Sequence, residues 1–244
     1  MVEISTSLLS VKKENAIKTI YNLETAGTDY FHIDVMDGKF VENNTNDLML
    51  EYCEYLKNIT TIPIDVHLMV EDVGSFIENY LIFEPNTLTF HFEAAKSKEE
   101  LLKWINQIKK NNCKVGISVK PNTNIEEIYE ILPYIHTVLV MTVEPGKGGQ
   151  DLIPGTIEKI AKLKEHINRN NLETEIEADG GINLDNVEKI KDAGCSIIVA
   201  GTSIIKYHIE NNINDIRTDV ENAIYNINLL EKYTKDVEEI LLCD

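Results

Sequence analysis

Short apolar segments of strand character alternate along the chain with segments of helical periodicity. Eight segments are rich in β-branched or aromatic residues and read as strands: Val2–Leu8, Tyr30–Val35, Ile62–Leu68, Thr87–His91, Lys114–Val119, Thr137–Met141, Thr174–Ala178 and Ser196–Ala200. Regular alternation of strands and helices is typical of a parallel sheet with helical crossovers. Eight such units favour closure into a (β/α)8 (TIM) barrel over an open doubly wound sheet, so we predict an α/β fold of that type.

The intervening segments place apolar residues three and four positions apart, as amphipathic helices do. We predict helices over Lys13–Glu24, Asp47–Lys57, Val73–Tyr80, Lys98–Lys110, Ile125–Ile131, Ile157–Asn168 and Leu184–Ala193. Gly27 and Gly194 each stand between a helix and the next strand, where a C-cap glycine is favoured. Ser97 and Asn183 are predicted to cap the helices that follow them.

A C-terminal extension begins at about residue 213. Its apolar residues again recur at threes and fours, which predicts one or two amphipathic helices. Such a stripe packs against the outer wall of the barrel or forms a subunit interface. We expect a single domain over residues 1–244 and a homo-oligomer, although the sequence does not give the number of subunits.

Composition and charge exclude several classes of partner. The chain has 244 residues, 43% of them hydrophobic, which is enough for one large core. Its net charge of −18 argues against nucleic acid and against an anionic membrane surface. The four cysteines lack paired spacing, and neither an apolar leader nor a long apolar run is visible. We therefore expect reduced thiols, no membrane partner and a cytoplasmic location.

The second predicted strand alternates an apolar face with a face that carries ionisable groups. His32, Asp34 and Met36 lie two residues apart, so the side-chain period of a strand places them together. A strand with one face in water would show the same alternation. However, His67 follows this pattern in the third strand and Asp179 ends the seventh. Two histidines and two aspartates at the carboxyl ends of separate strands fit an N2O2 site for a divalent metal.

Glycine-rich loops follow the last three predicted strands. They are Gly146-Lys147-Gly148-Gly149, Asp179-Gly180-Gly181 and Gly201-Thr202. Glycine lets the backbone approach a ligand closely, and backbone amides at a helix start favour an anion. In barrels, a phosphate commonly binds near the loops after the seventh and eighth strands. We therefore expect a phosphorylated substrate.

These residues together indicate one reaction type. A metal held by His32, Asp34, His67 and Asp179 could bind neighbouring oxygens of a sugar and stabilise an enediolate as a Lewis acid. Asp34 and Asp179, on opposite sides of the barrel mouth, could then remove a proton from one face of a carbon and deliver one to the other. The product of such a transfer is an epimer.

Five motifs carry a family resemblance across nearly the whole chain. In order they are HIDVMDGKFVENNT, DVHLMV, VLVMTVEPGKGGQ, DGGIN and AGTS. With them, the chain resembles the ribulose-phosphate 3-epimerase family. The resemblance implies a barrel that interconverts D-ribulose 5-phosphate and D-xylulose 5-phosphate. It also implies one divalent metal ion, usually zinc, iron, manganese or cobalt.

The same resemblance implies a role for each matching residue. Asp34 would accept a proton and Asp179 would donate one, with the roles exchanged in the reverse reaction, and both would hold the metal together with His32 and His67. Ser7 and His67 would contact the sugar. The reacting carbon would be lined by Met36, Met69 and Met141. The phosphate would be held in the glycine-rich loops by Gly146, Lys147, Gly148, Gly149, Gly180, Gly181, Gly201 and Thr202.

Some positions depart from the residues that are usual in this family. Lys147 and Leu152 stand where phenylalanine is common, Glu42 where proline is common, and Asn46-Asp47 where glycine-proline is common. None of these changes removes a predicted ligand or acid-base residue, but they affect the loops that close over the sugar. Lys147 either adds a cation near the phosphate or points into solvent.

Two alternative functions stay open at this stage. One is a 3-epimerase for a six-carbon ketose phosphate such as allulose 6-phosphate. The other is a barrel that binds a sugar phosphate without catalysis.

His91 also points toward the barrel mouth, either as a contact to the site or as a hydrogen-bonded core histidine.

Overall fold

The computed structural model describes residues 2–205. Within this range, eight parallel strands close into a barrel in which neighbours in the chain are neighbours in the sheet, and the last strand pairs with the first. The strands are β1 (Glu3–Ser7), β2 (Tyr30–Met36), β3 (Ile64–Met69), β4 (Thr87–His91), β5 (Lys114–Val119), β6 (Thr137–Met141), β7 (Glu175–Asp179) and β8 (Ile197–Ala200). The predicted (β/α)8 barrel is therefore confirmed.

Helices lie outside the barrel, between successive strands except β5 and β6, and one more follows β8. They are α1 (Ala16–Ala26), α2 (Asn46–Ile59), α3 (Val73–Leu81), α4 (Lys98–Lys109), α5 (Gly155–Arg169), α6 (Val187–Asp192) and α7 (Thr202–Ile205). The predicted caps explain several of the boundaries. Gly27 and Gly194 have φ angles of 87° and 104°, and the Ser97 hydroxyl accepts a hydrogen bond from the Glu100 backbone N–H.

The predicted helix Ile125–Ile131 is wrong in type, because this segment begins with a short 3-10 helix, Ile125–Ile128. Asn124 and Glu127 form a reciprocal capping box that starts the turn. Pro133 follows closely, and a proline ring clashes with the carbonyl group four residues before it, so a longer α-helix cannot form across this point. The connection from β5 to β6 therefore has only 3-10 turns.

The first and the last of the barrel's predicted helices begin later than expected. Residues Lys13–Asn15 form a 3-10 turn before α1. Asn183 does not cap a helix at Leu184. Instead, its side chain accepts from the Asp185 backbone N–H and its carbonyl accepts from Val187, which closes a turn ahead of α6.

The barrel wall separates an apolar exterior from a largely polar interior. In β3, for example, Ile64, Val66 and Leu68 belong to the main hydrophobic core, which the helices cover. The alternate positions point inward, and many of them are buried polar groups: Ser5, Ser7, His32, Asp34, Asp65, His67, Thr89, His91, Ser118 and Glu177. Burial of so many polar groups requires a network of partners, and that network surrounds the candidate site.

Two predictions cannot be compared with the structure. The C-terminal extension from about residue 213 lies outside the described residues, as does Cys243.

Across residues 2–205, none of the helices combines the length and apolar character needed to cross a membrane.

Candidate active site

The two predicted histidines and two predicted aspartates meet at the carboxyl ends of three strands. Strand register brings them together, because Asp34 of β2 pairs with His67 of β3, and Asp179 ends β7 across the barrel. His67 Nδ1 lies 3.5 Å from Asp34 Oδ1 and 3.7 Å from Asp179 Oδ2. One potential ligand atom from each of the four residues lies within 4.8 Å of the other three.

His32 is held by the carboxylate of Asp65. Its Nδ1 lies 2.6 Å from Asp65 Oδ2, which also accepts a hydrogen bond of 2.9 Å from the Ser5 hydroxyl. Because a carboxylate only accepts, His32 Nδ1 carries the proton of this hydrogen bond. The other ring nitrogen, Nε2, lies 3.5 Å from Asp34 Oδ1 and has no hydrogen-bond partner among the described residues.

His67 is oriented the other way round. Its Nε2 lies 3.0 Å from Nε2 of His91, while its Nδ1 faces the two aspartates and has no hydrogen-bond partner among the residues described. Thus two fully buried histidines each direct one unpaired nitrogen toward the same carboxylates. Buried polar atoms are normally paired, so these orphaned nitrogens fit a divalent metal that completes their coordination.

The electrostatics of the cluster also favour a cation. Despite burial, His32 and His67 hold the pKa of Asp34 well below its usual range. Burial and the neighbouring Asp34 raise the pKa of Asp179 to about 6. Burial opposes the charged form of His32, but Asp65 and Asp34 outweigh it and raise the pKa of His32. A divalent cation would relieve the repulsion between the two aspartates and displace the proton from His32.

A cavity of about 500 Å³ opens at this end of the barrel. This volume is within the usual range of small-molecule sites, about 300–1,000 Å³. Both aspartates line the cavity, as do the other predicted substrate-binding residues except His67: Ser7, Met36, Met69, Met141, Gly146, Lys147, Gly148, Gly149, Gly180, Gly181, Gly201 and Thr202. His32 and His67 are fully buried and do not line it. A ligand in the cavity would therefore contact the aspartates first.

Ser7 holds the Asp34 carboxylate in place by a hydrogen bond. Its hydroxyl donates a hydrogen bond of 2.6 Å to Asp34 Oδ2. The other carboxylate oxygen, Oδ1, is the atom that faces His32 and His67. Ser7 therefore fixes the orientation of the Asp34 carboxylate as well as lining the cavity.

The glycine-rich loops line much of the cavity. The Gln150 side chain donates hydrogen bonds to the carbonyls of Glu144 (2.7 Å) and Lys147 (2.9 Å), which keeps the loop after β6 folded on itself. The Asn43 side chain donates to the Gly146 carbonyl at 2.6 Å and ties this loop to the loop after β2. These loops are thus held in place, and their glycines leave room for a ligand to approach the backbone.

One glycine in these loops cannot be replaced without strain. Gly180 has a φ angle of 115°, which L-residues rarely adopt, and a Cβ atom there would lie 2.2 Å from a methyl group of Val143. Glycine at this position allows the chain to turn at the end of β7 immediately after Asp179. The turn therefore helps to place the Asp179 carboxylate at the cavity.

Sequence reasoning missed three carboxylates around the cluster and gave His91 no definite role. Asp65 and Glu177 were not identified, although each lies two residues before a predicted ligand and so shares its face of the strand. Burial and the nearby Asp65 raise the pKa of Glu177 well above its usual value. Glu93 contacts His91 from the turn after β4, a relation that no strand periodicity reveals.

Comparison with protein families gives a match over the barrel. The model of the ribulose-phosphate 3-epimerase family matches residues 3–205. A ribulose-phosphate 3-epimerase of Methanocaldococcus jannaschii is 37% identical over 222 residues, which cover 91% of this chain and 89% of the relative. One from Serratia marcescens is 35% identical over 202 residues, covering 82% of this chain and 94% of the relative.

Solved structures support the fold. KGPDC from Streptococcus mutans superposes with a TM-score of 0.66 at 11% identity, covering 91% of this chain and 99% of that one. A 3-hexulose-6-phosphate synthase superposes with a TM-score of 0.66 at 12% identity, covering 88% of this chain and 98% of that one. Identities this low show only a shared barrel. The family match and the relatives show more, and this chain belongs to the ribulose-phosphate 3-epimerase family.

Proposed function

We propose that this chain interconverts D-ribulose 5-phosphate and D-xylulose 5-phosphate. The observation that carries the proposal is the placement of two carboxylates, Asp34 and Asp179, at one cavity and within 3.7 Å of the same nitrogen of His67. They come from β2 and β7, so they approach a bound sugar from different sides. The names of the relatives support the choice of this substrate pair.

The reaction needs a proton taken from one face of C3 and a proton returned to the other. In one direction, the Asp34 carboxylate removes the C3 proton and the electron pair moves into an enediolate of the sugar. The carboxyl group of Asp179 then donates its proton to the opposite face of C3. Asp34 ends protonated and Asp179 ionised, so the number of protons is unchanged and the reverse reaction starts from that state.

His32, Asp34, His67 and Asp179 would hold one divalent ion. Nitrogen and carboxylate ligands in equal number suit zinc, iron, manganese or cobalt. When bound, such an ion supplies Lewis-acid stabilisation of the negative charge that develops on the substrate oxygens. The unpaired nitrogens of His32 and His67 support this assignment.

The remaining cavity residues would bind and orient the substrate. Backbone N–H groups of the glycine-rich loops would bind the phosphate, and Ser7 would contact the sugar as well as Asp34. Met36, Met69 and Met141 would exclude water from the reacting carbon. Lys147 would add a cation near the phosphate. The homo-oligomeric state and the cytoplasmic location stay predictions.

The proposal is tested by converting D-ribulose 5-phosphate to D-xylulose 5-phosphate in a coupled assay. Asp34→Asn and Asp179→Asn should each lower kcat by at least about 100-fold, the lower end of what a positioned acid or base contributes. Exhaustive chelation should also abolish turnover, and added metal should restore it. Asp192→Asn, which removes an exposed carboxylate of α6, is the matched control and should turn over normally.

Other outcomes would identify the alternatives. Turnover of allulose 6-phosphate in preference to the pentose phosphate would assign the six-carbon reaction. Binding of both sugar phosphates without turnover by a folded, metal-loaded protein would indicate a non-catalytic barrel. For Lys147, a Lys147→Ala variant should raise KM most at low ionic strength, and an unchanged KM at several salt concentrations would remove Lys147 from the phosphate site.

A further inference from the structure

A series of hydrogen-bonding groups leads away from His67 at Nε2, the ring nitrogen that does not face the two aspartates. His67 Nε2 lies 3.0 Å from Nε2 of His91, and His91 Nδ1 lies 3.1 Å from Oε2 of Glu93. The ring centroids of the two histidines are 5.0 Å apart and their planes differ by 30°, so the rings meet nearly end to end. This is the geometry of an in-plane hydrogen bond between two imidazole nitrogens.

Glu93 itself is held firmly on its other oxygen. Oε1 accepts hydrogen bonds from the Lys120 backbone N–H at 2.7 Å and from the Thr123 hydroxyl, both in the loop after β5. Phe40 covers His91, with ring centroids 4.8 Å apart. His91 is therefore fully buried, whereas Glu93 keeps 21% of its side chain exposed and is fixed by its two donors.

The donors and acceptors of His67, His91 and Glu93 allow one arrangement of the ring protons. The Glu93 carboxylate can only accept, so His91 Nδ1 must carry a proton, and Nε2 of neutral His91 is then a bare acceptor. His67 Nε2 must consequently be the donor in the contact between the two histidines. A neutral His67 has a single ring proton, so its Nδ1 is left with a free lone pair directed at Asp34 and Asp179.

We infer that Glu93 and His91 are positioning residues that fix the tautomer of His67 in which Nδ1 is free to bind a metal. The inference rests on the metal assignment proposed above. Neither residue lines the cavity, so both act only through His67. The arrangement differs from that of His32, where Asp65 contacts the ring directly and leaves Nε2 free instead. A metal at this cluster would thus be bound by opposite nitrogens of its two histidines.

The tautomer is measurable in the unmodified protein without metal. Nitrogen-15 NMR of histidine side chains distinguishes a protonated ring nitrogen from a bare one. We expect His67 to carry its proton on Nε2 and His91 on Nδ1. A metal-free protein in which His67 Nε2 is bare would overturn the inference, whatever the enzymatic activity.

Glu93→Gln is designed to reverse the chain of hydrogen bonds. The Lys120 backbone N–H can only donate, so the glutamine oxygen would stay at the Oε1 position and its NH2 group would face His91 Nδ1. That NH2 group also only donates, which moves the proton of His91 to Nε2 and the proton of His67 to Nδ1. The ligand lone pair would then be lost until the metal displaced this proton.

The second readout is metal affinity, measured with Co²⁺ or Zn²⁺ in competition with a chelator. We expect Glu93→Gln to weaken binding by about 10–100-fold, as is typical when an outer partner of a metal-binding histidine is changed. Glu126→Gln removes the same formal charge from an exposed site in the next connection, between β5 and β6, where Glu126 pairs with Lys162, and should leave the affinity within about twofold.

The outcomes separate this inference from the proposed function. If the wild type binds metal and Glu93→Gln binds it equally well, the role of Glu93 and His91 is refuted while the metal site stands. If the wild type binds no metal, the metal assignment fails and this inference fails with it. Equal weakening by Glu93→Gln and Glu126→Gln would show an effect of net charge and would also refute the inference.

Discussion

Asp65 provides the sharpest test of how the barrel interior holds its histidines. Its Oδ2 accepts two buried hydrogen bonds, from His32 Nδ1 at 2.6 Å and from the Ser5 hydroxyl at 2.9 Å. We compare Asp65→Ala with Asp65→Asn. Both variants remove the same negative charge, so the difference between them isolates the hydrogen bonds from the electrostatics of the cluster.

The size of the difference follows from the number of donors that lose their acceptor. In Asp65→Asn, the amide oxygen can take the position of Oδ2 and accept from both donors. In Asp65→Ala, the two donors are left buried and unpaired, at a cost of about 1–3 kcal/mol each. Water that enters the vacated space offsets part of this cost. We therefore expect Asp65→Ala to be less stable than Asp65→Asn by about 2–4 kcal/mol.

The assay is urea unfolding of both variants in the presence of a chelator, so that metal binding does not contribute. The two variants should share one slope of unfolding free energy against urea and differ in midpoint. A difference below about 0.5 kcal/mol, the size expected for a surface change, would refute the reasoning. It would mean that His32 and Ser5 do not depend on Asp65 as their acceptor.

Three further predictions concern the metal, the glycine turn and the thiols. Mn²⁺ at about 100 times its Kd should add about 2.7 kcal/mol to the free energy of unfolding and so raise Tm by about 5–11 °C in calorimetry. The variant His67→Ala should abolish this shift. Gly180→Ala should lower Tm more than Gly149→Ala, because both positions have positive φ but only a Cβ at Gly180 collides with Val143. Iodoacetamide at pH 8, followed by mass spectrometry, should leave three thiols unmodified in the folded protein, because burial raises their pKa values: Cys53, Cys113 and Cys195.

The fold was predictable because each strand carries its own signal. Segments such as Thr87–His91 and Thr137–Met141 have predicted bounds that agree with the structure, since glycine, proline or polar residues flank short β-branched runs. The errors arose where local hydrogen bonding outweighed helical periodicity. The Asn124–Glu127 capping box ahead of Pro133, and the turn closed by Asn183, are examples.

The candidate site was predictable only in part. A period of two places His32 and Asp34 on one face of β2, and the same rule applied to β3 and β7 would also have found Asp65 and Glu177. The prediction omits these two residues, which lie one inward-facing position farther from the carboxyl end of their strands than His67 and Asp179. Glu93 could not have been found in this way. Its role depends on donors from the loop after β5, and the sequence gives no measure of that contact.

The strand register explains why the two histidines direct different nitrogens at one point. His32 pairs with Asp65, one inward-facing position below the pair formed by Asp34 and His67. The His32 ring must therefore extend toward the carboxyl ends of the strands, and only its distal nitrogen Nε2 is far enough from the backbone to do so. This leaves Nδ1 beside Asp65. His67 is already level with Asp34, so its proximal Nδ1 suffices and Nε2 points away. His67 Nε2 needs a hydrogen-bond partner from β4. His91 supplies it, two positions beyond Thr89, which pairs with His67. The two tautomers are thus opposite because His32 and His67 lie at different levels along the barrel axis, and each tautomer depends on its own hydrogen-bond acceptor.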